Sequence, residues 1–232
     1  MTTDLNANQS KIEKNKRDYI FLLTFMILSY VSMGIIEKSF PSENKWTLNY
    51  YFMGICLVGW YVFLYRITSN FYPNKVVRIL YASLLVSRFV LTALFQNNNA
   101  QINSLIVPAS ISYWTSLIAL GLVFYILIKD MFLNKHDLVY SLLAASNIYF
   151  MIPLIFSFIY ALVAVHNPIL VGNPLTLEAL LFNCFNYSWF VLSGIIDFPS
   201  DKIGELIQSI AVLESLSGNL FIVFIIGRLL SK

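Results

Sequence analysis

The chain has 232 residues, of which 58% are apolar and only 12% charged, with a net charge of +3. Too few polar side chains remain to cover a water-soluble surface, so the composition excludes an ordinary soluble enzyme or binding domain and implies a lipid bilayer as the solvent. The basic excess is scattered among loops and forms no stripe with interleaved aromatics, so no nucleic-acid partner is expected.

Residues 1–18 are charged and are expected to form a cytoplasmic tail. The apolar run that begins at Tyr19 has no small-residue cleavage site behind it, which favours a retained span over a removed signal peptide. Further runs at about 48–67, 76–96, 105–128 and 138–165 are each long enough, at helical rise, to cross a hydrocarbon core of roughly 30 Å. A shorter run follows at 177–196, and a last span covers about 205–230. The breaks carry Pro, Gly or Asn.

Cys56 and Cys184 both fall inside apolar runs and read as inert core thiols. His136 and His166 sit in different loops without a partner at metal-ligand spacing. No span holds a lysine suited to a Schiff base, and no paired carboxylates or Ser/His set suggests catalysis. The chain is therefore expected not to be an enzyme and to need no cofactor or metal. A seven-span receptor, transporter or membrane enzyme is the competing class.

Charge decides between topologies. If 177–196 enters and leaves on one side, eleven Lys and Arg residues lie in loops on the side of the termini and three, Lys38, Lys45 and Lys202, lie opposite. Under the positive-inside rule this bias places both termini in the cytoplasm. Seven crossings would move Arg228 and Lys232 outside and weaken it. The expected architecture is all-α, with six transmembrane helices and a re-entrant segment between the fifth and sixth.

That segment has a helix start of its own. Asn173 or Thr176 can cap a helix over 175–182, Pro174 is allowed in a first turn, and Glu178 suits the positive end of the helix dipole. Ending in mid-membrane, such a helix points its partly negative carbonyl end at the bilayer centre, which favours a cation. Irregular backbone at that depth is tolerated only inside protein or beside a wet cavity.

Over about 138–232 the sequence resembles the pore module of bacterial potassium channels, with four spans in front as in the voltage-gated type. The likeness rests on Leu177-Glu178-Ala179-Leu180-Leu181-Phe182, on Ile210 to Phe221 with Leu213-Glu214 and Gly218, and on Gly227-Arg228-Leu229 at the close. The resemblance implies a voltage-gated-channel-like homotetramer in the cell membrane that passes monovalent cations. It divides the chain into a tail (1–18), a four-helix sensor-like unit (19–128), a linker (129–137) and a pore-like module (138–232). Residues 1–137 match only in the number and placement of spans.

The family's Thr-Val-Gly-Tyr-Gly filter is missing. Its place falls near Ser188, Trp189, Phe190, Val191, Leu192, Ser193 and Gly194. Stacked carbonyl rings need positive φ at alternate residues, which Val and Leu do not reach cheaply, so only Gly194 can supply such a turn. Ser188 and Ser193 can offer hydroxyls to a hydrated ion, or Trp189 to Leu192 can plug the axis. In a fourfold assembly Asp197, Asp201 and Glu205 would ring the outer mouth and concentrate cations; the plainer reading is a solvated loop with helix-capping acids. Two functions stay open: a weakly selective, non-canonical cation channel, and a non-conducting channel-fold protein with a structural or regulatory role.

Glu214 and Arg88 lie near mid-span, where a charge costs about 2.5–3.5 kcal/mol unless it meets water, a partner or protein. Glu214 is expected to brace the pore helix, and Arg88 to stabilise the front unit. Gly218 is either a hinge or a close-packing site, and Asn219 either lines a cavity or bonds across helices. Pro153 should kink the fifth span.

The fourth span contains no arginine, whereas a voltage sensor needs several, each worth about 2.3 kcal/mol per 100 mV moved. Any conductance should therefore lack steep voltage dependence, and recordings that rise e-fold within a few millivolts would contradict this.

Overall fold

The computed structural model describes residues 13, 16–28, 58–59, 61–72, 74–96, 106–133, 138–166, 177–195 and 204–230. Seven helices occur among them: α1 (16–28), α2 (61–71), α3 (Lys75–Gln96), α4 (Ile106–Leu133), α5 (Leu138–Ala164), α6 (Leu177–Ser193) and α7 (Glu205–Leu230). Among the described residues three helices are long and apolar enough to cross a membrane: Ile106–Phe132, Leu138–Ala164 and Glu205–Arg228. These coincide with the expected fourth, fifth and last spans.

The side-chain pattern of α4 explains why such a helix wants lipid. Its outward stripe is Val107, Ile111, Trp114, Ile118, Leu122 and Tyr125, all exposed and spaced at helical period. Its buried face holds Ala109, Ser112, Ser116, Ala119 and Asp130 beside larger apolar residues. Small and polar groups inside with apolar groups outside is the arrangement for a hydrocarbon solvent. Two of the serine hydroxyls are satisfied within the helix, Ser116 donating to the Ser112 carbonyl and Ser110 to that of Ile106, both at 2.8 Å.

Elsewhere the helix ends follow local chemistry. Asn74 caps α3, its Oδ1 accepting from the Val76 amide at 2.9 Å. Pro153 lies inside an unbroken α5, although it removes one backbone donor from that helix. Two expected boundaries shift. Lys16 to Asp18, assigned to the tail, are helical, and Asp18 is fully buried. Lys129 to Leu133, assigned to the linker, form the last turn of α4.

The chain falls into two compact units, one of Met1–Ala82 with Ile126–Asn147 and one of Ser83–Tyr125 with Ile148–Lys232. The first is held by two buried carboxylates. Asp130 Oδ2, at the end of α4, accepts from the Tyr19 hydroxyl at 2.9 Å and from that of Tyr140 at 2.6 Å. Asp18 pairs with Arg66 at 2.8 Å and accepts from the Asn70 amide at 3.1 Å. Asn147 donates to the Tyr19 carbonyl at 3.0 Å. These bonds join the start of α1 to the ends of α2 and α4 and to the first turns of α5.

Because both tyrosines share one oxygen of Asp130, their bonds are not independent. Tyr19→Phe or Tyr140→Phe should each lower stability by about 1.5–3 kcal/mol, the range for a bond to a charged group. The double variant should lose measurably more than the sum, because in each single variant the remaining hydroxyl has the shared oxygen to itself, and strict additivity of unfolding midpoints in detergent would show the two bonds to be uncoupled.

Candidate functional site

Glu214 lies in the middle of α7 and is fully buried. Both of its oxygens are engaged. The Tyr160 hydroxyl, from α5, reaches Oε2 at 2.7 Å, and the Ser188 hydroxyl, from α6, contacts Oε1. Ser188 Oγ also lies 2.9 Å from the Pro153 carbonyl oxygen of α5. One carboxyl thus ties three helices together within the second unit. Tyr187 stands edge-on to Tyr160 with ring centroids 5.0 Å apart, and Trp189 packs on Phe150 at 5.5 Å.

Glu214, expected to brace the pore helix, contacts α6 through Ser188. The roles open to the filter-equivalent run narrow. Ser188 to Ser193 are helical, the last turns of an α6 that runs well past the expected 175–182, so their backbone stacks no carbonyls toward an axis. Ser188 and Val191 are buried, and the Ser188 hydroxyl turns to Glu214 and Pro153 instead of toward an ion. Phe190 and Ser193 are exposed, with Ser193 Oγ donating to the Phe190 carbonyl at 2.9 Å.

Gly194 does make the one left-handed turn expected of it, at φ 71°. Its amide donates to the Val191 carbonyl and the Ile195 amide to that of Phe190, both at 3.1 Å. This is the paired-bond helix ending that a glycine permits, and it stops α6 cleanly. Gly218 is buried, and a Cβ there would collide with Cδ1 of Leu192. Leu192 packs against this glycine. Asn219 beside it is exposed.

The contacts also fix direction. Ser188 meets Glu214, and four residues on in each helix Leu192 meets Gly218, so α6 and α7 run the same way where they touch. Counting at 1.5 Å per residue from the Ser188–Glu214 level, α6 begins about 16 Å above it and α7 about 13 Å above it. Below that level α6 extends only about 7 Å, whereas α7 continues for about 24 Å. The end of α6 and the start of α7 are therefore about 21 Å apart along the helix direction.

Glu205 opens α7 as an exposed first-turn acid, a place that the dipole favours by itself. Asp197 and Asp201 lie outside the described residues, as do the side chains of Arg88 and Glu178. Sequence reasoning missed Tyr160 and the Pro153 carbonyl as partners; the only available signal was a tyrosine seven residues after a proline in an otherwise apolar span. It also passed over Asp18 and Asp130, which stand beside Lys and Arg and look like solvated loop charges.

No protein-family model, no curated protein and no solved structure matches this chain.

If Gly218 serves packing, Gly218→Val should cost about 1–3 kcal/mol by overpacking, and Leu192→Ala in the same chain should recover part of that loss. Thermal unfolding of the four variants in detergent tests it; no recovery would show that Leu192 is not the obstacle.

Proposed function

We propose that the chain is a channel-like membrane protein with six spans, in which α6 is a re-entrant helix and α5, α6 and α7 form a pore module that assembles as a homotetramer. It passes monovalent cations with weak, non-canonical selectivity and is not voltage-gated. The observation that carries this reading is the shared direction of α6 and α7. A helix that starts level with its neighbour, stops partway along it and returns through about ten residues is how a pore loop is built. Three further facts support it: the sequence likeness to potassium-channel pore modules, the lack of arginine in α4, and the acids Asp197, Asp201 and Glu205 in and just after residues 196–203. The surplus of Lys and Arg on the side of the termini supports a cytoplasmic position for both.

A second reading has its own observation. The helical state of Ser188 to Ser193 leaves no stacked carbonyl rings, and Glu214 takes the Ser188 hydroxyl. This favours a channel fold that no longer conducts and serves as a structural or regulatory subunit.

Purified protein in planar bilayers separates them. The first reading expects cation-selective current whose conductance falls in Asp197→Asn with Asp201→Asn, more at low salt than at high salt because screening already weakens the field of surface acids. Silence over a wide range of voltage, pH and salt supports the second.

A further inference from the structure

The bonds around Glu214 can be counted hydrogen by hydrogen. Ser188 Oγ lies within hydrogen-bonding distance of two acceptors, Glu214 Oε1 and the Pro153 carbonyl oxygen, the latter at 2.9 Å. A serine hydroxyl has one hydrogen to give, and neither a carbonyl nor a carboxylate has any. With Glu214 ionised, one of these two contacts would hold no hydrogen and would press lone pairs together in a fully buried site. The Tyr160 hydroxyl cannot supply the missing hydrogen, because it lies 2.7 Å from the other carboxyl oxygen.

A proton on Glu214 Oε1 completes the set. Glu214 then donates to Ser188, Ser188 donates to Pro153, and Tyr160 donates to Glu214 Oε2. Three hydrogens fill three contacts. We infer that the pocket formed by Glu214, Ser188, Tyr160 and the Pro153 carbonyl is a proton-binding site, occupied in this state, and that its proton latches α6 to α5 and α7.

The other titratable groups facing the site leave that count unchanged. Tyr187 and Cys184 of α6 lie beside Glu214 and Tyr160, respectively, and neither contributes a hydrogen bond to the carboxyl. Among the described residues no basic side chain contacts Glu214. Among the described residues an ionised Glu214 would therefore have no countercharge, and its set of three contacts would be one hydrogen short, whereas the neutral acid completes it. The sign of the dependence follows: the latch holds at low pH and is released as rising pH removes the proton. Its use as a gate rests on the channel-like reading, since α6 carries the filter-equivalent run; the proton site itself does not.

Infrared spectra of the full chain in lipid vesicles, titrated from acidic to alkaline pH, test the site directly. The wild type should show at neutral pH a protonated-carboxyl C=O stretch that is lost at alkaline pH and absent from Glu214→Gln. Identical wild-type and Glu214→Gln spectra in that region at neutral pH would overturn the proposal. Stability provides a second readout, because Gln offers the same donor and acceptor as the neutral acid. Glu214→Gln should melt with the wild type at neutral pH while Glu214→Ala melts lower; Glu214→Gln melting as low as Glu214→Ala would also overturn it. Neither measurement depends on current, so a silent bilayer would count against conduction and leave the proton site standing.

Discussion

A carboxyl group buried in the middle of a membrane-length helix must be satisfied from within the protein, and much of the arrangement of α5, α6 and α7 follows from how Glu214 meets that need. Left alone at such depth it would cost about 2.5–3.5 kcal/mol or more. Its two oxygens instead receive one hydroxyl contact from α5 and one from α6. Those contacts set the register of α6 on α7, and the register places Leu192 against Gly218, where a Cβ would meet the end of the leucine side chain. A polar requirement at one residue thereby fixes a steric requirement one turn away.

The other compact unit meets the same need in a similar way. Asp130 is wrapped by two tyrosine hydroxyls, and Asp18 by an arginine and an asparagine, so that α1 is tied to the ends of α2 and α4 and to the start of α5. Where lipid is the solvent, apolar burial gives little reason for one helix to prefer another, and directional bonds to buried polar groups carry more of the specificity. The outward apolar stripe of α4 beside its inward serines and alanines is the same preference seen along a single helix.

Much of the helical layout was legible in the sequence because long apolar runs and their breaks have few physical interpretations. The ranges of α4, α5 and α7 agree with the expected spans within a few residues, except where α4 runs on through Lys129 to Leu133. Those charges at the end of an apolar run read as a linker, since a sequence does not show that Asp130 will find Tyr19 more than a hundred residues away. The extra length of α6 was hidden for a different reason. Expecting a filter in the family's place implies an early helix end, but Trp189 to Leu192 have no residue that breaks a helix, and Gly194 is the first that can. Glu214 could be singled out from the cost of its depth alone. Its partners could not, because serine and tyrosine recur along many apolar runs and only three-dimensional register selects Ser188 and Tyr160.

The central claim is that α6 enters and leaves on one side, so that α7 completes an even number of crossings. Reporter tags at each terminus, read for sidedness in intact cells, test it most directly. Both tags on the cytoplasmic side are predicted, whereas a cytoplasmic N-terminal tag with an external C-terminal tag would mean that α6 crosses, and would remove the pore loop from the account.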